Sequence, residues 1–317
     1  MSDLKTHPFG SIALVGDVRP ARPNWRKPVG FGLAILLTVL AVHVEGQEPF
    51  SLGTERILEP ISVQNNTTTD FVQPIVYQAA GPDATSIEGV VNAFRSALGD
   101  QVNGNALEER REGHREINWD GAPPTDTTTP PVNPFNTFLN TRGAQFTTPG
   151  SGLVQGPASG GPQGGLAVLF NNPSYANAFR AFSNARLFTP VGSNVTDTTF
   201  FVAGSNGTVR AAVTGFGVVF SDVDQPDGSG PANKRGNRDA STLIQYFGAD
   251  GRLLFSSFAP ASPGSRGFSF LGIKFSDPRI SSVRIIAGSA APGPDDNDAN
   301  DIVMMDDFIY GEPHPVP

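Results

Sequence analysis

The chain of 317 residues contains no cysteine. Disulfide frameworks, cysteine nucleophiles and cysteine-ligated zinc are therefore excluded, and the fold depends on a sizeable core. Histidine is scarce as well: His7, His43 and His314 lie near the ends of the chain, which leaves His114 in its body. We expect His114 to be an ordinary surface residue. Since no G-x-S-x-G motif is present, a Ser-His-Asp hydrolase is not indicated.

Basic residues are outnumbered, with 22 Lys and Arg against 30 Asp and Glu and a formal net charge of −8. Nucleic-acid surfaces need clustered Lys and Arg, and no basic stripe is present. The glycine-rich stretch 150–165 is not followed by the Lys-Ser/Thr pair of a phosphate-binding loop. The sequence therefore argues against a nucleic-acid partner.

Long apolar runs are absent except for the 14 residues Val29–Val42, which follow Arg26 and Lys27. A run of this length is shorter than the ~20 residues that cross a bilayer as a helix, and its flanks are those of a secretory leader. We expect residues 1–46 to be a signal peptide or an uncleaved N-terminal anchor. The protein is then secreted or held in the cell envelope, with membrane contact only through an uncleaved leader.

Glycine (36), proline (28) and phenylalanine (23) are abundant, which favours many short strands and turns. The sequence predicts a mainly β protein, an antiparallel, jelly-roll-like β-sandwich preceded by one amphipathic helix and the leader. The predicted segments are an N-terminal arm at 47–121 with the helix at 85–98, a Pro/Thr-rich loop at 122–134, the sandwich at 135–312 and a tail at 313–317.

The helix prediction rests on an apolar stripe through Val91 and Phe94, on a capping-box spacing of Thr85 and Glu88, and on Gly99 at its end. The turn 248–251 predicts a hairpin, and the change of apolar register near Gly272 predicts a β-bulge. Strands are predicted at 166–170, 186–189, 198–202, 209–219, 242–247, 252–258, 268–275, 283–287 and 302–310.

The acidic residues between 118 and 310 are all aspartate, the short carboxylate that suits turns and hard cations. They form two clusters, one at 222–227 and one at 295–307. In the second cluster Asp296, Asp298 and Asn300 have the 1-3-5 spacing of an EF-hand loop, but Asp301 stands where the glycine of position 6 is required. We expect either solvated turns or a non-EF-hand site for structural calcium. Its candidate ligands are Asp222, Asp224, Asp227, Asp296, Asp298, Asp301 and Asp307.

Asp306 and Asp307 interrupt an apolar strand, so one of them is expected to point inward. A buried carboxylate needs a cation, an arginine such as Arg284 or Arg210, or backbone N–H donors. Trp119 and Asp120 are the candidate ligand-binding residues, because an exposed indole can stack on a sugar ring. The alternative for Trp119 is a position in the core.

Several segments resemble a group of uncharacterised bacterial exported proteins with a lectin-like or jelly-roll-like β-sandwich. The matching segments are 115–121, 135–136, 142–143, 146–150, 216–224, 268–272 and 305–310. The resemblance implies a fold and a compartment, without an activity that can be transferred to particular residues.

These observations predict an exported, non-catalytic β-sandwich protein that binds an extracellular ligand, with carbohydrate the first candidate. Two alternatives stay open. One is a structural or adhesive protein that contacts other envelope components. The other is an Asp-dependent hydrolase, because glycoside hydrolysis needs only two carboxyl groups.

Overall fold

The computed structural model describes residues 72–121, 130–161, 164–224, 242–262, 264–297 and 299–316. The predicted leader 1–46, residues 47–71 of the predicted arm and residues 122–129 of the Pro/Thr-rich loop lie outside this part. Asp227 and Asp298 lie outside it too. No helix in the described ranges is long and apolar enough to cross a membrane.

The described chain is mainly β, with short helices near its N-terminal side and between strands. The helices are α1 (Ala84–Leu98), α2 (Leu139–Arg142), α3 (Gly165–Leu169) and α4 (Tyr175–Ala178). The strands are β1 (Ile75–Gly81), β2 (His114–Ile117), β3 (Ala144–Thr147), β4 (Gly152–Gly156), β5 (Leu187–Val191), β6 (Val195–Phe200), β7 (Ala211–Ala212), β8 (Gly215–Ser221), β9 (Leu243–Phe247), β10 (Leu253–Phe258), β11 (Phe268–Lys274), β12 (Ser282–Ile286), β13 (Met304–Gly311) and β14 (His314–Pro315).

The strands form two main antiparallel sheets. The larger has the order β1-β11-β8-β13-β5-β4, with β2 pairing along the second half of β13. The smaller has the order β10-β9-β12-β6-β3, and β14 pairs with β7 separately. Because β1 and β2 pair within the large sheet, part of the predicted N-terminal arm belongs to the folded body.

One apolar cluster draws side chains from both sheets. The large sheet contributes Phe216 and Phe308, the small sheet contributes Phe200 and Ile285, and all four are fully or almost fully buried. The alternation of strand side chains explains this arrangement, since every second residue of β6, β9 and β12 points to the same side.

Helix α1 lies at the predicted place and covers the outer face of the large sheet. It begins after Asp83, whose carboxylate accepts a hydrogen bond from the Ser86 N–H at 2.9 Å, so the cap is Asp83 rather than the predicted Thr85. Its buried face packs Phe94 against β11 and β8. The glycines Gly217 and Gly272 make room for that ring, because a Cβ atom at either position would come within about 3 Å of it.

The predicted bulge at Gly272 is wrong. Strand β11 pairs without a shift along both neighbours. The apolar register changes because β11 is buried on both faces: Phe268 and Phe270 pack with α1, whereas Leu271 and Ile273 belong to the core between the sheets. A register shift does occur in β13, where residues Asp306 and Asp307 lie between two paired stretches opposite β8.

The remaining differences concern short segments. The predicted strand 166–170 is helix α3, because an apolar run this short does not distinguish a strand from a helix. The charged segment before Ile117, which gave no strand prediction, contains β2. The predicted hairpin is confirmed, with β9 and β10 joined through a turn at Gly248–Gly251.

Candidate metal centre

The end of β8 places a carboxylate inside the protein. Asp222 directly follows the strand, has a left-handed backbone conformation (φ 71°), and has no solvent exposure. Its N–H donates to the Gly267 carbonyl at 3.0 Å, which continues the pairing with the β11 side of the sheet. Neither carboxylate oxygen of Asp222 receives a hydrogen bond within the described part of the chain. A buried, unpaired carboxylate is very costly, so either a bound proton or a cation has to neutralise it.

Three further carboxylates surround the same point. One oxygen each from Asp224, Asp296 and Asp301 lies within 4.8 Å of the others. Asp224 follows the buried Val223, and Asp296 and Asp301 lie on the turn that leads into β13. Two chain segments that are distant in sequence therefore bring their carboxylates together.

Backbone donors hold this arrangement in place. The Ile302 N–H donates to Asp296 Oδ1 at 2.9 Å, and the Asp224 N–H lies 3.5 Å from Asp301 Oδ1. Asp301 is itself fixed through its own N–H, which donates to Ser289 Oγ at 3.0 Å. These contacts fix the positions of Asp224, Asp296 and Asp301 relative to one another.

The charged groups that act on Asp222 are other carboxylates. Burial, followed by the charges of Asp296 and Asp224, raises the pKa of Asp222 to about 9. The Asp222 carboxyl comes within hydrogen-bonding range of the Asp296 carboxyl, which is another acceptor. Burial also raises the pKa of Asp296, although the hydrogen bond from Ile302 works against it. We call Asp222, Asp224, Asp296 and Asp301 the acidic centre.

An oxygen-only set of this kind suits a hard cation. An ion placed about 2.4 Å from each oxygen, the calcium distance, bridges carboxylate oxygens up to about 4.8 Å apart. Zinc prefers nitrogen and sulfur ligands, which are absent from the acidic centre. Of the predicted metal ligands, the structure thus brings together Asp224, Asp296 and Asp301, with Asp222 beside them.

Asp307 was predicted as a further ligand, but the structure gives it other partners. Its Oδ2 lies 3.2 Å from Arg95 Nη2, and its Oδ1 accepts a hydrogen bond from the Ser183 hydroxyl. Its neighbour Asp306 is fully buried and accepts from the Phe182 N–H. The inward carboxylates therefore use an arginine and backbone donors. The arginine is Arg95, and neither of the two predicted ones is involved.

The predicted ligand-binding pair is divided between core and surface. Trp119 has no exposed surface, its ring stacks on Phe188 with centroids 3.6 Å apart, and its indole N–H donates to the Asp306 carbonyl at 3.0 Å. A ring enclosed in this way offers no face to a sugar, so the alternative prediction of a core residue is the one that holds. Asp120 is half-buried, and its Oδ1 lies 3.9 Å from Arg186 Nε.

His114 is also not a surface residue. It is 1 % exposed on β2, and its ring nitrogens lie 2.5 Å from the Gly99 carbonyl and 2.8 Å from Glu116 Oε1. Both partners are acceptors, so only a doubly protonated ring donates to both. The alternation of β2, with His114 and Glu116 on one face and the buried Arg115 on the other, is the sequence signal that marks this strand.

Comparison with protein-family models, with curated proteins and with solved structures finds no match to this chain. The resemblance to exported lectin-like proteins therefore stays a prediction. Function has to be inferred from the geometry of the sites.

Proposed function

We propose that this protein is an exported, jelly-roll-like β-sandwich that binds calcium in the acidic centre and serves as a binding module rather than an enzyme. The observation that carries the calcium proposal is the Asp222 side chain. It is fully buried, it has no hydrogen-bond donor among the described residues, and three other carboxylates surround it. A divalent cation is the partner that neutralises such a set.

Calcium in this position would join two parts of the fold. Asp222 and Asp224 continue from β8, and Asp296 and Asp301 precede β13, the strand that pairs with β8 in the large sheet. The ion would fix the chain on both sides of that central pairing. Outside the cell, where calcium is abundant, a site of modest affinity is sufficient for this task.

The ligand proposed for the module remains a carbohydrate of the cell surroundings. The enclosed position of Trp119 removes the aromatic platform from this proposal. Sugar hydroxyls are also recognised by planar polar side chains, and such side chains, Asp307 of β13 among them, line a cavity that contains no residue of the acidic centre.

Thermal melting of the full-length protein with calcium and with a chelator tests the metal proposal. An ion that binds only the folded state at about 100 times its Kd adds about 2.7 kcal/mol to the free energy of unfolding. For a domain of this size we expect a rise in the melting midpoint of roughly 5–10 °C. Magnesium at the same concentration serves as the control. Equal midpoints in calcium and in chelator contradict the proposal.

A further inference from the structure

A cavity of about 300 Å³ opens beside the C-terminal half of helix α1, away from the acidic centre. This volume is at the lower end of the range for small-molecule sites. Charged and amide side chains dominate its wall, and Val102 supplies one apolar patch. The polar side chains are Arg95, Glu116, Asn118, Arg142, Ser183 and Asp307.

The wall is built on buried groups that hold these side chains in place. Arg95 donates to both oxygens of Glu116, at 2.7 and 3.2 Å, and also to Asp307. Behind them, the buried His114 contacts Glu116, and the buried Asp306 accepts from the backbone of the segment that carries Ser183. Networks of buried ionisable groups that open on one side to a cavity are typical of functional sites.

Of the two arginines in the wall, Arg95 uses most of its N–H donors, whereas Arg142 does not. Its Nε donates to Asn105 Oδ1 at 2.8 Å, and one Nη1 N–H donates to the Glu116 carbonyl. No acceptor among the described residues meets its Nη2 group. Asn118 is exposed; its Oδ1 lies 3.4 Å from the Asp120 N–H, and its amide nitrogen meets no acceptor in the described chain.

The charge of Arg142 also favours a ligand with a negative charge. The guanidinium of Arg142 has no carboxylate within salt-bridge distance among the described residues. Burial lowers the pKa of Arg142, and the interactions with Tyr310 and Glu116 only partly offset that effect. A guanidinium fork with unused N–H groups is suited to a carboxylate, which it binds through two parallel hydrogen bonds.

We propose that this cavity binds a sugar acid, with the ligand carboxylate on Arg142 and Asn118 and its hydroxyl groups on Glu116, Asp307 and Ser183. A hydroxyl group both donates and accepts, so it suits the mixed wall around Arg95, whereas a carboxylate suits the unused donors. This inference deepens the proposed function and rests on its ligand-binding part. It does not depend on calcium, because none of the cavity residues belongs to the acidic centre.

Isothermal titration calorimetry of the full-length protein with D-glucuronate and D-galacturonate tests this inference, with D-glucose, acetate and sulfate as comparison ligands. We expect at least one of the two sugar acids to bind, and to bind at least tenfold more tightly than glucose, acetate or sulfate. Arg142→Gln should weaken that binding at least about tenfold, since a hydrogen bond to a charged group is lost. Asn118→Ala should weaken it about threefold. Arg284→Gln is the matched control, because Arg284 pairs with Asp197 on the small sheet.

The outcomes separate the two proposals. Each titration is run in calcium and in chelator, below the melting midpoint of both forms. Binding that is preserved in chelator supports the cavity even if the calcium proposal fails. Binding of neither sugar acid overturns the inference, and so does equal affinity for glucose or for acetate and sulfate. Unchanged affinity in a folded Arg142→Gln variant overturns it as well, with circular dichroism used to check folding.

Discussion

Both the acidic centre and the charged cluster contain buried aspartates at strands of the large sheet, but different groups offset the charge of these aspartates. The charged cluster comprises Arg95, Glu116, Asp306 and Asp307. In the charged cluster, Asp307 receives an arginine and a serine hydroxyl, and Asp306 receives a backbone N–H. In the acidic centre, Asp222 receives no donor from the described chain. The charged cluster supplies protein donors for its aspartates, whereas the acidic centre supplies none to Asp222 in the described chain and is therefore the candidate cation site.

The comparison shows that burial of a carboxylate does not by itself indicate a metal. Burial holds the pKa values of Asp306, Asp307 and Asp222 above the ordinary range, so this property is common to both regions. The two differ in their neighbours. The neighbours in the charged cluster are an opposing charge and N–H donors, whereas the neighbours of Asp222 are other carboxylates, and this difference makes the acidic centre the candidate cation site.

The largest expected effect comes from Asp222→Asn. Without calcium the variant should be at least as stable as the natural protein, because the amide keeps the shape of the side chain and removes the cost of burying or protonating the carboxyl. In calcium it should be less stable, since the stabilisation by the ion is lost. We expect a total swing of about 4 kcal/mol between the two conditions, measured by denaturant unfolding in calcium and in chelator.

Two further variants serve as controls for this experiment. Asp250→Asn replaces an exposed turn aspartate and should leave the calcium response intact. Asp307→Asn should also leave it intact, because Asp307 lies in the charged cluster. A calcium response that disappears in Asp307→Asn but survives in Asp222→Asn would contradict the assignment of the two regions.

Arg95→Met should destabilise the protein by about 3 kcal/mol, because it leaves Glu116 and Asp307 without their cation. Calcium should not restore this loss, which distinguishes the charged cluster from the acidic centre. Chemical unfolding at neutral pH measures the effect. Arg284→Met, which breaks an exposed pair, should cost less than about 1 kcal/mol. Similar losses in both variants would show that the charged cluster contributes no more than a surface pair.

A smaller effect is expected from acid. Burial alone would raise the pKa of Glu116, but hydrogen bonds from His114 and Arg95 outweigh it and lower the pKa to about 2. The folded state therefore holds this carboxylate more acidic than the unfolded chain does, with its usual value of 4.5. The resulting stability is present above pH 4.5 and is lost as the pH falls toward 2.

From pH 6 to pH 3 this loss amounts to about 2 kcal/mol. It is measured as the difference in unfolding free energy between the natural protein and Glu116→Gln at each pH. That difference should shrink as the pH falls. A difference that stays constant over this range would show that Glu116 is not held by the charges of Arg95 and His114.

Much of the fold could be predicted from local patterns. Strands β9 and β12 follow the alternation of buried and less buried residues, and α1 follows its apolar stripe. The errors arose where tertiary packing overrides the local pattern. Strand β11 is covered on both faces, so its sequence imitates a bulge, and the register shift of β13 leaves no local signal apart from its two aspartates.

The acidic centre was predictable in part, because Asp spacing within a loop is visible in the sequence. The sequence does not indicate which aspartates lie close together in the fold, because Asp224 and Asp301 are 77 residues apart along the chain. The charged cluster was predicted only in part: an arginine or backbone donors were expected for the inward aspartate, but neither Arg95 nor Glu116 was identified. Arg95, Glu116 and Asp307 come from a helix and two strands, and only the paired sheet brings them together.

The enclosed indole of Trp119 gives the protein a built-in spectroscopic probe. The chain has two tryptophans, and the other is Trp25 near its start. An indole shielded from water emits at shorter wavelength than an exposed one, so Trp119 will emit at short wavelength in the folded protein. Its N–H is bound to the carbonyl of Asp306. A shift of this emission during unfolding or titration will therefore report directly on β13 between Met305 and Phe308, without any attached label.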